Sequence, residues 1–206
     1  RRPRGAGEEG AAGGSSPWEE VVWNAAEAVG NLRATVAGTS ADDFDSGPGE
    51  PARTREELVE RLRADYERDY FLTGDVDVEL YDRNCEFADP FASFFGRERF
   101  VQNLRNLAGG FIAAFRVKMM DFDEAGASSV GGRVAYTSRL RVQLELALPW
   151  RPVLGWVWGV THEFEASNEG EQAEAWRCVV HRESWEIDPA EGVAQIFRPS
   201  NGLSMK

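Results

Sequence analysis

Four long stretches in the second half of the chain alternate apolar and polar residues with a period of two. They span residues 115–122, 134–148, 156–166 and 175–187, and turn-forming residues separate them. The second stretch is the clearest, because apolar side chains such as Val134, Leu140 and Leu144 alternate with polar ones. No helical stretch intervenes, so we expect four strands that pair antiparallel in one sheet.

Helical patterns precede these strands. Thr54 and Glu57 form a capping box, which predicts a helix that runs to about Arg68. Its apolar face consists of Leu58, Leu62, Tyr66 and Tyr70. We expect a shorter helix over 76–81, a short strand over 85–90, and a further helix that begins at Gly96 and carries Phe100 and Leu104 on its apolar face. Helices followed by a long-stranded sheet indicate an α+β fold.

The first 53 residues differ in composition from the rest of the chain. They are rich in Gly, Ala, Ser and Pro, which predicts a flexible arm. One short amphipathic helix, over about 17–32, interrupts it and carries Trp18, Val22 and Trp23. This helix either packs on its own domain or binds a partner's groove. We therefore divide the chain into an arm (1–53), a folded domain (54–200) and a tail (201–206).

Composition excludes several classes of function. The chain has 23 Lys and Arg against 35 Asp and Glu, a net charge of −12, and such a surface disfavours nucleic acid. Two cysteines and two histidines predict neither a disulfide scaffold nor a metal site, and we expect no cofactor. The longest apolar run, over 152–160, is far shorter than the roughly 20 residues of a membrane-spanning helix. Peripheral contact with a membrane stays open.

Four segments of the sequence resemble a known family. They are DYERDYFLTG (65–74), LYDRNCEFADPFASFFGRERFVQNLRNL (80–107), LPWRPVLGWVWGVTHEF (148–164) and HRESWEIDP (181–189). They resemble an uncharacterised family of plastid and cyanobacterial domains in the nuclear transport factor 2-like, or SnoaL-like, superfamily. The resemblance implies a cone-shaped fold in which N-terminal helices pack on a strongly curved antiparallel sheet.

The same resemblance implies a compartment. It points to the chloroplast, either in the stroma or at the stromal face of the thylakoid, with the mitochondrion as the fallback. A first residue of Arg fits a chain that is a fragment or that has lost an N-terminal targeting peptide.

Enzymes with the cone fold place acid and base groups inside the cone, and the resemblance therefore directs attention to polar residues that could point inward. The pocket candidates are Tyr66, Asp89, His181, Glu183 and Trp185. Each has a structural interpretation as well, since Asp89 precedes a proline and His181 could simply pair with Glu183. His162 is more typical of a core histidine. No acid–base pair is unambiguous, so we assign no catalytic residue.

Aromatic and cationic residues suggest binding surfaces. Trp150 and Trp156 lie in a cluster with prolines, and some of these rings should remain near the surface, where they make good interface anchors. Arg139 and Arg141 share the polar face of the clearest strand, which suits an acidic partner or a solvated sheet. In the alternative interpretation, the aromatic side chains simply fill the interior of a wide cone.

Three functional hypotheses follow. We favour a non-catalytic accessory subunit of a larger plastid complex, namely a thylakoid photosynthetic complex, attached through the N-terminal arm to one or more protein partners. The alternative is a small-molecule-binding protein or an enzyme of the isomerase, cyclase or hydrolase type that uses the cone cavity for a hydrophobic metabolite. A homodimer formed through the back of the sheet is the third.

Overall fold

The computed structural model describes residues 49–90, 93–108, 112–127, 132–168 and 174–203. The predicted arm helix, with Trp18, Val22 and Trp23, lies outside the described residues, as do residues 204–206 of the predicted tail. The described part is an α+β structure with one six-stranded sheet, ordered β2-β1-β6-β5-β4-β3. The predicted fold class is confirmed.

The first helix forms where the capping box predicts it. Helix α1 spans Arg55–Glu67, and the Thr54 side chain accepts a hydrogen bond from the Glu57 N–H. Asp69 then takes a left-handed conformation with φ of 50°, and a one-turn helix, α2, follows at Tyr70–Thr73. Tyr70 is buried as predicted, but it lies on α2 and not on the apolar face of α1.

The expected helix over 76–81 is wrong. Only Val78–Leu80 is helical, as a single 3-10 turn, and Tyr81 already begins strand β1 (Tyr81–Ala88). Asp77 explains the short turn, because its carboxylate caps the Glu79 N–H and also pairs with Arg61. Strand β2 (Ser93–Phe95) and helix α3 (Arg97–Ala108) follow.

The four long strands pair as the alternation predicts. They are β3 (Ile112–Ala127), β4 (Val134–Leu146), β5 (Val153–Asn168) and β6 (Glu174–Trp185). All three pairs between chain neighbours are antiparallel, with Val142 opposite Val117 on one side and Trp156 on the other. Strand β1 adds to β6 in parallel, so the sheet is mixed.

A bulge in β6 changes which residues share a face. Phe164 lies opposite Cys178, whereas His162 lies opposite His181. The two β5 residues are two apart and face the same way, so Cys178 and His181, three apart, also share a face. Strict alternation over 175–187 would instead group His181 with Val179. His181, Cys178 and His162 are all buried in the core.

The C-terminal segment closes the open side of β5. Helix α4 spans Pro189–Ala194 and a 3-10 turn spans Gln195–Phe197. The Gln195 side-chain amide accepts from the Gly155 N–H at 2.6 Å and donates to the Gly155 carbonyl at 3.3 Å. At the other end of the sheet, buried Ala52 forms an isolated bridge with Trp176.

The core lies between the helices and the inner face of the sheet. Leu58 and Leu62 of α1, Val101 and Leu104 of α3, and Leu140 of β4 are buried in it. No helix in the described part of the chain is long and apolar enough to cross a membrane.

Candidate active site

A small cavity opens where helix α3 packs against strands β1 and β6. Its volume is about 90 Å³, smaller than the roughly 300–1,000 Å³ of most drug-sized ligand sites. A small molecule or a few waters would fit it. The lining residues are Phe87, Ala88, Asp89, Phe94, Phe100, Asn103, Leu104, Trp158, His181 and Glu183.

Strand pairing brings the polar residues of the cavity together. The parallel register of β1 and β6 places Phe87 opposite His181, so Asp89, two residues later, reaches the same end as Glu183. Asp89, His181 and Glu183, which the sequence suggested as pocket residues, all line the cavity. Two carboxyl groups, an imidazole and an aromatic wall thus meet at the junction of β1 and β6.

His181 and Glu183 form a hydrogen-bonded pair. The His181 Nε2 lies 3.2 Å from the Glu183 Oε1. Burial lowers the pKa of His181 to about 3 and raises the pKa of Glu183 to about 8, with the Trp158 indole partly offsetting the rise. At pH 7 the imidazole is therefore neutral and most Glu183 carboxyls carry a proton. The pair is a neutral hydrogen bond and not an ion pair.

Three buried polar atoms of the cavity residues make no hydrogen bond within the described chain. They are the His181 Nδ1, the Asn103 Nδ2 and the Trp158 Nε1. Buried polar groups are nearly always satisfied by protein, water or ligand. An oxygen of a bound molecule could accept from the Asn103 amide, so the cavity offers a donor, a titratable carboxyl and aromatic walls.

Two further pairs of polar groups lie in the core. The Tyr81 hydroxyl lies 3.3 Å from the His162 Nε2, and Tyr66 hydrogen-bonds Ser138. Burial, and then the proximity of His181, lower the pKa of His162 well below its usual value. Tyr66 does not line the cavity; its hydroxyl binds Ser138 instead.

Trp185, the remaining pocket candidate, does not line the cavity. Its ring packs on Trp156 with centroids 4.6 Å apart. A Cβ at Gly192 of α4 would come within 3.0 Å of the Trp185 ring, so α4 covers this tryptophan closely. The structure brings Asp89, His181 and Glu183 together at the cavity, and it places Tyr66 and Trp185 in the surrounding packing.

The predicted partner-binding residues have varied surroundings. Arg139 pairs with Asp121 and Glu186 on the outer face of the sheet, whereas Arg141 is exposed and has no ion pair among the described residues. Trp150 is 38% exposed and donates its indole N–H to the Ile196 carbonyl. Trp156 is partly buried against Trp185.

Sequence reasoning missed Asn103. It lies on α3 between Phe100 and Leu104 in the helical spacing of the apolar face, and a polar residue in that position was the available signal. The cavity's aromatic walls were also unassigned, since Phe87 and Trp158 could be placed there only from strand register. Among the described residues, no group of three or more His, Cys, Asp or Glu side chains could hold a metal.

Comparisons with known proteins agree with this fold. The family model of an uncharacterized conserved protein, DUF2358, matches residues 56–170, which is more than half the chain. A scytalone dehydratase-like protein from Novosphingobium aromaticivorans superposes with a TM-score of 0.50 at 14% identity, covering 73% of this chain and 94% of that one. No curated protein sequence matches.

Two further structures are similar at lower scores. A dehydratase-like protein of the NTF2-like family from Streptomyces avermitilis has a TM-score of 0.45 at 13% identity, covering 65% of this chain and 99% of that one. A ketosteroid isomerase-like protein from Erwinia carotovora atroseptica has a TM-score of 0.46 at 11% identity, covering 66% and 100%. The structural neighbours are NTF2-like proteins, as the sequence resemblance implied.

Proposed function

The chain belongs to the conserved family DUF2358, and we propose that it is a small-molecule enzyme whose cavity performs general acid–base chemistry through Glu183. The observation that carries this proposal is the neutral pair of Glu183 and His181 at the cavity wall. Of the three hypotheses from the sequence, this is the alternative to the accessory subunit, and the geometry supports it better.

Glu183 is suited to proton transfer because its pKa is raised to about 8. General acid–base catalysis works best when the catalytic pKa lies near the working pH. Glu183 therefore donates a proton in its neutral form and accepts one when ionised. His181, with its pKa lowered to about 3, stays neutral and holds the carboxyl through Nε2.

The rest of the cavity determines what could bind. Phe87, Phe100 and Trp158 offer aromatic surface to an apolar body, and the Asn103 amide offers a donor to an oxygen. The substrate class that fits is a small, mostly apolar molecule with a carbonyl or hydroxyl group. In the ionised form, Glu183 would remove a proton from the carbon next to a carbonyl while Asn103 donates to the carbonyl oxygen, and the proton would then return.

A deuterium-exchange assay tests this proposal. Cyclohexanone is incubated with the protein in D₂O and loss of the α-proton signal is followed by proton NMR. We expect exchange that Glu183→Gln abolishes and that rises with pH to a plateau above about pH 8. Glu186→Gln is the matched control, since Glu186 lies on the outer face and pairs with Arg139. Exchange that Glu183→Gln leaves unchanged contradicts the proposal.

A binding role is the second candidate. Phe95 is 69% exposed and Phe197 is 73% exposed, and large exposed aromatic side chains are typical interface anchors. These rings support the accessory-subunit hypothesis, in which the chain attaches to a larger plastid complex. Its test is co-purification from plastid extract with the full chain and with a chain that lacks residues 1–48. We expect the full chain to retain a protein partner that the shortened chain loses. If both chains retain the same partner, the proposed attachment through the N-terminal arm is contradicted.

Plastid residence remains a prediction from the sequence resemblance. A fluorescent fusion to the complete coding sequence should appear in chloroplasts, and a mitochondrial or cytosolic signal would contradict it.

A further inference from the structure

Strand β3 has a partner on one side only within the described residues, where it pairs with β4. An edge strand directs half of its backbone N–H and C=O groups away from the sheet, and another strand can pair with them. β3 is 16 residues long. It also exposes Phe115 (39%), Met119 (37%) and Met120 (38%). A long edge of this kind is available for association.

The outer face of β3 is divided into a basic half and an acidic half. Arg116 and Lys118 lie opposite the exposed residues Gln143 and Arg141, and neither cation has an ion pair within the described chain. Asp121 and Asp123 follow, and Asp123 likewise has no ion pair there. In a chain of net charge −12, adjacent unpaired cations on an edge strand indicate an acidic partner surface.

A bulge is what places the two halves on the same face. Lys118 and Asp121 are three residues apart, and regular alternation would point them to opposite faces. The register shift between Met119 and Asp121 inserts one residue, so Lys118 lies opposite Arg141 and Asp121 lies opposite Arg139. Arg139 and Arg141 are two apart on β4 and share a face. Lys118 and Asp121 therefore share the outer face as well.

We propose that two copies of this chain associate by antiparallel pairing of their β3 edges, with the two-fold axis between Met119 and Met120. In that register Lys118 faces Asp121 of the partner subunit and Arg116 faces Asp123 of the partner subunit. Two-fold symmetry makes each pair occur twice. On the inner face Val117 meets Phe122 of the partner subunit, which adds apolar contact.

Charge selects this register over its neighbours. If the two-fold axis passed through Val117, Arg116 would face Lys118 of the partner subunit, and like charges directly opposite each other destabilise a strand pair. The register about Met119 and Met120 places both cations, Arg116 and Lys118, opposite carboxylates on the outer face, whereas a shift to either side leaves one of them without an acidic partner. This edge-to-edge dimer differs from the back-of-sheet dimer that the sequence analysis left open.

The test is a charge-swap experiment on the full chain by sedimentation equilibrium at low salt. We expect a wild-type dimer. Arg116→Glu and Asp123→Lys should each weaken self-association roughly tenfold or more, because two cross-strand pairs become repulsive. An equimolar mixture of the two variants should dimerise again, since one variant then presents acids where the other presents bases. Arg83→Glu, at an exposed position on β1, is the matched control and should dimerise as the wild type does.

Several outcomes would overturn the proposal. They are a wild type that stays monomeric at all concentrations, single variants that still dimerise, and a mixture that fails to reassociate. A monomeric wild type would indicate that the β3 edge binds a strand of a different protein instead of a second copy. Single variants that dimerise normally would indicate that the copies associate through another face. Hydrogen exchange on the wild type gives a second measurement: the edge-facing amides of residues 115–123 should become protected as concentration rises, and concentration-independent exchange contradicts the interface.

Discussion

His162 and His181 lie directly opposite each other on neighbouring strands, with ring centroids 4.6 Å apart and ring planes almost perpendicular. Both are buried, and burial holds both pKa values below the usual range. Two imidazolium ions at this separation in the core would repel strongly, so the fold keeps both rings neutral. The cavity chemistry depends on this, because neutral His181 can hold a protonated Glu183.

Replacement of His162 by Gln should reduce the dependence of stability on acidic pH. His162 binds a proton more readily in the unfolded chain, where its pKa is near 6.5, than in the fold. The stability contributed by neutral His162 is therefore fully present above pH 6.5 and is lost as the pH falls below that value. His162→Gln removes one such group, so the slope of unfolding free energy against pH should decrease by up to about 1.4 kcal/mol per pH unit.

Urea unfolding of the two proteins between pH 4.5 and 6.5 measures this slope. Tyr81→Phe is the control, since it removes the hydroxyl 3.3 Å from the His162 Nε2 and leaves the histidine in place. The slope of Tyr81→Phe should match that of the wild type. Identical slopes for His162→Gln and the wild type would show that His162 is not a buried neutral group.

Asn103→Leu should raise stability and weaken ligand binding. The Asn103 Nδ2 is buried without a hydrogen-bond partner in the described chain, and relief of an unsatisfied buried amide is worth about 1–3 kcal/mol. Thermal unfolding measures the first effect and cyclohexanone binding by ligand-observed NMR measures the second. If Asn103→Leu destabilises the protein and leaves binding unchanged, the amide is not a ligand donor.

Gln195→Ala should expose the backbone N–H and C=O of Gly155 on β5 to solvent. The Gln195 amide satisfies both the N–H and the C=O of Gly155, as a neighbouring strand would. Loss of two hydrogen bonds to partly buried groups predicts a stability loss of about 1–3 kcal/mol and faster hydrogen exchange at the Gly155 amide. Glu60→Ala, at an exposed position on α1, is the control and should change neither. Unchanged Gly155 exchange in Gln195→Ala would contradict this role.

Much of the fold follows from sequence periodicity. The alternation from Val134 to Leu144 predicts strand β4 and its buried face, and the capping box at Thr54 and Glu57 predicts the start of α1; both are confirmed. This pattern is nearly sufficient to predict the inner face of a strand, because burial of alternate side chains fixes which side faces the core.

The site is less predictable because it depends on register and not on pattern. The bulge beyond Cys178 shifts the alternation, and a bulge leaves little sequence signal. The parallel pairing of β1 with β6, which brings Asp89 to Glu183, joins segments about ninety residues apart. Asn103 and the aromatic wall of Phe87 become neighbours only through that pairing. The sequence suggested the acid and the imidazole, but tertiary register determines the rest of the cavity.

A carbon-13 NMR titration of the Glu183 side-chain carboxyl, assigned by comparison with Glu183→Gln, tests the proposed acid–base function most directly. Burial raises the pKa of this carboxyl from 4.5 to about 8, so its Cδ resonance should titrate with a midpoint near pH 8. A Glu183 midpoint near 4.5 would mean that the carboxyl is ionised at neutral pH, and the proposed acid–base function would be contradicted.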